Sequence, residues 1–225
     1  RDYFEKGDIE KALTSVRKAR FYAKDTKEFC EIDWIKELAQ KSKVLANDYL
    51  KKHEWLKAGN IYAELATIYE DDKTYDQLTR DAAMRVKLEA TYKEDGQWKD
   101  DLEEIKIDVV PEVSLQIYNY YVENPDFAKM VSRALNNLAM MREIPKLSEV
   151  FKPLGEPEKC DQFEQQIKNL EKQATTQSQN KKFATREFWQ AFLKLLVIND
   201  ETCQLPRNVI IKEFLDASLA ELDPF

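Results

Sequence analysis

Glycine fills only four of the 225 positions, Gly7, Gly59, Gly96 and Gly155, against an average usage of about 7 %. Tight β-hairpins and bulges draw on glycine. Nucleotide-binding α/β folds need it where backbone meets phosphate. So sparse a supply predicts an all-α chain. An apolar content of 43 % provides for a packed core and excludes a wholly disordered chain. What is left to settle is how the helices are arranged.

Helical spacing of apolar residues is the strongest pattern along the chain. Ile35, Leu38, Ala39, Ser42, Leu45, Ala46 and Tyr49 form one stripe, and Trp55, Ala58, Ile61, Tyr62, Leu65, Ala66 and Tyr69 form the next. Only Lys51 to Glu54 separate them, which predicts an antiparallel helix pair. A third series runs Tyr75, Leu78, Ala82, Val86, Ala90, followed by a short helix from Gln97. Pro111 and Pro125 are placed to open helices over 111–123 and 125–142, in the first turn, where a missing N–H is harmless. Another short helix follows Pro145. The stripe Cys160, Phe163, Ile167, Leu170, Ala174 predicts a helix over 156–172 packed on one neighbour. Gln173 to Lys182 reads as a polar linker. Helices over 185–198 and 206–222 close the chain.

The helix-to-helix turns repeat. From Tyr3, offsets 4, 6, 9, 13 and 16 give Gly7, Ile9, Ala12, Val16 and Ala19. From Tyr49 the same offsets give His53, Trp55, Ala58, Tyr62 and Leu65. From Tyr92 they give Gly96, Trp98, Asp101, Ile105 and Asp108, and from Tyr121 they give Pro125, Phe127, Met130, Ala134 and Asn137. The aromatic ends one helix, the turn residue favours a compact or left-handed backbone, the bulky residue opens the next helix, and the small residue admits close approach. Gly59 adjoins that small position, so a close neighbour is expected there.

This order of residues resembles the tetratricopeptide repeat, most closely over 3–19 and 49–66. Successive tyrosines stand 46, 43 and 29 residues apart, whereas the family period is about 34. The resemblance implies a right-handed solenoid of antiparallel helix pairs over residues 1–142, with an irregular helical extension over 143–225. It is a structural resemblance and names no chemistry. It implies a non-enzymatic scaffold for protein–protein contacts within a larger complex, such as a transport coat or ciliary train. A proteasome-lid or initiation-factor type subunit is an alternative that would need a terminal β-hairpin. A helical regulatory lobe of a larger enzyme is another.

The residues for catalysis are thin. His53 is the one histidine, and it stands at a repeat turn. Phosphate-loop, dinucleotide, nucleophile-elbow and zincin motifs are absent from the sequence, and no cofactor is expected. Cys30, Cys160 and Cys203 are odd in number and lack metal or disulfide-framework spacing, which fits a reducing compartment and a cytoplasmic or nuclear location. The longest apolar run, Ala191 to Ile198, is broken by Lys194, so no membrane insertion is expected. A net charge of −7 argues against nucleic acid as a partner, and Arg17, Lys18, Arg20 and Lys24 read as a solvated face. Asp100, Asp101, Glu103 and Glu104 break the repeat and form a candidate landing site for a basic segment of a partner subunit. The opening Arg1 reads as the cut edge of a longer protein whose repeats continue upstream.

Overall fold

The computed structural model describes residues 1–179 and 183–222. The chain is all-α, 78 % helical, with no strand among the described residues. It carries 13 α-helices and two single 3₁₀ turns there, and divides into two compact units, residues 1–88 and 89–225. No helix among the described residues is long and apolar enough to cross a membrane.

The first unit holds α1 (Asp2–Glu5), α2 (Ile9–Phe21), α3 (Thr26–Cys30), α4 (Asp33–Lys51), α5 (Trp55–Ile68) and most of α6 (Lys73–Thr91). Its core is apolar: Leu13 and Val16 of α2, Ile35 and Leu38 of α4, Ile61 and Leu65 of α5, with Tyr75 of α6. Asp8 caps α2 by accepting from Lys11 N at 3.2 Å, and Asp25 caps α3 by accepting from Lys27 N and Glu28 N. α3 has no apolar stripe long enough to be read from sequence. Cys30 ends this helix, and its thiol donates to Ile68 O at 3.2 Å.

Two turns in this unit share one geometry. Gly7 has φ +77° and His53 has φ +58°, the left-handed conformation expected at the fourth offset. In each, two hydrogen bonds close the preceding helix. Asp8 N donates to Tyr3 O and Gly7 N to Phe4 O; Glu54 N donates to Tyr49 O and His53 N to Leu50 O. The likeness extends to positions outside the six offsets. Lys11 lies over the Tyr3 ring at 5.8 Å and pairs with Asp8, while Lys57 lies over the Tyr49 ring at 5.2 Å and pairs with Glu54. Tyr3 itself remains 45 % exposed. Ala12, Ala58 and Tyr62 are buried, and Trp55 is 6 % exposed. A Cβ on Gly59 would stand 3.2 Å from Ala82 Cβ, which is the close neighbour expected there.

The second unit begins with the end of α6 and contains α7 (Trp98–Asp101), α8 (Val109–Tyr120), α9 (Phe127–Met140), α10 (Pro145–Val150), α11 (Pro157–Gln179), α12 (Thr185–Glu201) and α13 (Arg207–Leu219). α9 is its axis and packs on α11, α12 and α13. Nine of its residues are buried, among them Phe127, Met130, Leu135 and Asn137. The five-residue stripe of α11 is buried as spaced, but it serves two neighbours, α9 and α12, because one ridge fits the groove between two helices. The expected linker from Gln173 is helical through Gln179, and Asn180 to Lys182 lie outside the described residues. Phe127, Phe188, Phe192 and Phe214 form a chain of tilted rings with centroids 4.9–5.4 Å apart.

The later repeat copies change here. Gly96 is not left-handed. It is small because a Cβ would meet Trp98 Cδ1 at 2.8 Å and Lys93 O at 3.0 Å. The second helix of this copy, α7, stops at Asp101, so Ile105 falls in the connection between α7 and α8, and Asp108 becomes the residue that leads into α8. The helix pair expected from Tyr92 is thus reduced to one turn. In the copy from Tyr121, Pro125 stands before the cap residue Asp126 and outside α9, and the turn is taken in extended backbone.

Candidate interaction surfaces

The acidic turn is rigidly mounted. Trp98 is 9 % exposed and Leu102 is buried, so this short segment turns two apolar residues inward, four apart. The Trp98 ring packs on Tyr92 at 5.3 Å and Phe151 at 5.4 Å, and its Nε1 donates to Lys93 O at 2.8 Å. Asn208 Nδ2 of α13 donates to Leu102 O at 3.1 Å. Asp100, Asp101, Glu103 and Glu104 are left exposed on the other side. Offset 8 from the repeat aromatic carries Lys11, Lys57 and Lys129 in the other three copies and Asp100 in this one, so the charge at a recurring position is inverted.

Beneath that mount lies a buried polar cluster. Tyr92 donates to Glu213 Oε1 at 2.6 Å, Asn137 Nδ2 donates to Oε2 at 2.9 Å, and Lys212 Nζ donates to Oε1 at 3.0 Å and to Asp216 Oδ2 at 2.9 Å. Glu213 is 1 % exposed. Burial raises the Tyr92 phenol far above its ordinary range, and the Glu213 charge adds to this. Burial pulls Lys212 downward, but Glu213 and Asp216 outweigh it, and its pKa is raised. A buried carboxylate needs partners of this kind, and here they pin α13 to α9 and to the base of the acidic turn.

Two exposed apolar features were not anticipated. On α8 the buried stripe is Val110, Ser114 and Ile117. Outside it Leu115 and Tyr118 are exposed at 53 % and 59 %, and beyond the end of the helix Val122 is exposed at 98 %. Leu115 and Tyr118, three residues apart, make α8 apolar on a second face. At the end of α2, Phe21 and Tyr22 are largely exposed and meet edge to face at 5.3 Å. They lie one step off the α2 stripe, and no periodic signal marks them.

Two of the basic residues near them are engaged. Arg17 pairs with Glu64 at 2.5 Å and Arg20 with Glu70 at 2.8 Å, which ties α2 to α5. The groove between those helices has a volume of about 490 Å³ and is lined by Glu10, Thr14, Arg17, Lys57, Asn60 and Glu64. A more apolar groove between α11 and α12, about 520 Å³, is lined by Leu170, Leu193, Val197 and Ile198. His53 is a turn residue whose ring meets Trp55 edge to face at 5.0 Å. Among the described residues, no group of three or more His, Cys, Asp or Glu side chains is placed to hold a metal ion. The chain matches no protein-family model, no curated protein and no solved structure.

Proposed function

We propose that the chain is a non-enzymatic helical-repeat scaffold that joins other protein subunits in a larger complex. In this reading α1 with α2 and α4 with α5 are two antiparallel pairs of a tetratricopeptide-like solenoid. One observation carries it: the turns at Gly7 and His53 share conformation, hydrogen bonds and lysine-over-tyrosine packing at matching offsets. Repeated pairs of this kind expose long helical surfaces suited to binding other chains. The outer face of α8 supplies apolar contact area, and the acidic turn supplies a salt-sensitive site for a basic segment. The subunit type that ends in a β-hairpin module is less well supported, since residues 183–222 hold α12 and α13 and no strand.

The test is retention of protein partners from extract by the immobilised chain, with the retained chains identified. Leu115→Glu with Tyr118→Glu is expected to lose a defined set of partners while helicity and thermal midpoint stay unchanged. Charge reversal at Asp100, Asp101, Glu103 and Glu104 is expected to lose the salt-sensitive fraction. Identical retention by all three proteins, or substrate turnover by the chain alone, overturns the scaffold reading.

A further inference from the structure

The fold brings together two cysteines that the sequence keeps 43 residues apart. Cys160 lies in the first turns of α11, and Cys203 lies at the corner between α12 and α13. Their sulfurs are 3.9 Å apart, and both residues are almost completely buried. The Cys160 thiol also donates to Leu154 O at 3.3 Å. Neither cysteine is bonded to another, so the pair rests as a dithiol. A disulfide needs its sulfurs at about 2.05 Å, and the two sulfurs already stand in contact with each other at 3.9 Å.

We propose that Cys160 and Cys203 form a redox modification site, converted by a hydroperoxide into an intramolecular disulfide that ties α11 to the α12–α13 corner. The chemistry balances. One cysteine, as thiolate, attacks an oxygen of hydrogen peroxide; the O–O bond breaks, a sulfenic acid forms, and the departing hydroxide takes up a proton to become water. The second sulfur then attacks the sulfenic sulfur and displaces its hydroxyl, which leaves as a second water. Two thiols lose two electrons in all, and one peroxide gains them.

The surroundings set the conditions. Burial pushes the Cys203 thiol up to about 12, with Cys160 adding to the rise, so this thiol is protonated at neutral pH, and burial keeps the oxidant from the pair until local opening admits it. The Arg142 guanidinium, held by Asp161 at 2.5 Å and Glu164 at 3.0 Å, acts on Cys203 in the opposite sense and favours its thiolate. Cys30, half-buried in the first unit, donates its thiol to Ile68 O. The reaction should therefore be slow, selective for one of the three possible pairings, and reversible by a thiol reductant.

The experiment treats the native chain with hydrogen peroxide, then denatures it, alkylates free thiols and maps linked peptides by mass spectrometry. The expected result is loss of two of the three alkylatable thiols, a chain two hydrogens lighter, and one dominant link joining the peptides of Cys160 and Cys203. Reductant should restore all three thiols. The same treatment in urea should spread the links over all pairings, since proximity then depends only on loop closure. A Cys30→Ser variant should form the same link and lose both of its thiols, a result that does not depend on replacing a buried residue. The proposal is overturned if the native chain retains both buried thiols under exposure that oxidises Cys30. It is also overturned if Cys160 and Cys203 acquire oxygen without becoming linked, or if links to Cys30 dominate.

Discussion

The two compact units are held in contrasting ways. In residues 1–88 the core is apolar apart from Ser42, its ion pairs lie at the rim, and the corners are set by local backbone geometry. In residues 89–222 a carboxylate is buried in the core, where it collects Tyr92 from 121 residues away and Asn137 from 76. Local devices add up in small steps, and each can be weakened without disturbing the next. A buried polar cluster stands or falls with its central member, because each partner left behind is a desolvated group without a bond. The two units should therefore respond differently to single substitutions.

The largest effect is expected at Glu213. Glu213→Ala strands the Tyr92 phenol and the Asn137 amide and leaves Lys212 with Asp216 alone, and should destabilise the second unit by about 3–5 kcal/mol, read as a lower urea midpoint. The same cluster predicts a loss of stability in alkali. Tyr92 and Lys212 both have pKa values raised above their ordinary values of 10.0 and 10.5. A raised folded value contributes stability that is complete below the unfolded value and is lost as pH climbs above it. Urea midpoints should thus fall from about pH 10 upward. Tyr92→Phe should remove the tyrosine part of that slope while lowering stability at neutral pH. An unchanged midpoint in Glu213→Ala would place the strength of the second unit in its apolar packing and erase the contrast.

This difference also governs what could be read from the chain. Gly7, His53, Trp55 and Ala58 were legible because a helix corner is made by residues within a few positions of one another. So were the stripes of α4, α5 and α11, since burial of one face leaves a period in the sequence. Glu213 was illegible: within the apolar run of α13 a glutamate reads as a solvent-facing residue, and nothing local announces a tyrosine and an asparagine from distant helices. The Cys160–Cys203 contact was hidden for the same reason. The acidic turn was legible as an anomaly, and the structure supplies its cause, since α7 ends where the repeat would need a small residue for packing. The outer face of α8 left a weaker mark, because Leu115 and Tyr118 are only two residues, too few to set a period.

A middle-sized effect should come from the first unit's corners. Gly7→Ala introduces a Cβ at φ +77° into open space, with nothing within 4 Å, so any loss comes from backbone strain, at about 1–2 kcal/mol. His53→Gly works the other way. It relieves a left-handed non-glycine residue but removes the ring contact with Trp55, a contact of about 0.5–1.5 kcal/mol, and the net change should lie near zero. Thermal midpoints of both variants decide the matter. A neutral Gly7→Ala would mean that the corner tolerates another conformation and that the two turns are not equivalent devices.

The smallest effect should lie at the rim of the same unit. Arg17 and Glu64 meet at 2.5 Å, and Thr14 Oγ1 donates to the other Glu64 oxygen at 3.2 Å. Neither Arg17 Nε nor Glu64 Oε2 is aligned for a hydrogen bond, so the attraction is that of a partly exposed charge pair. A double-mutant cycle with Arg17→Ala and Glu64→Ala should return a coupling of about 0.2–1 kcal/mol, shrinking as salt is raised. The Lys212–Glu213 pair is 20 % and 1 % exposed in its two side chains and should change far less over the same salt range, because solvent ions do not reach it. Equal salt sensitivity in the two pairs would mean that water penetrates the second core, and the division between rim electrostatics and core electrostatics would fail at its foundation.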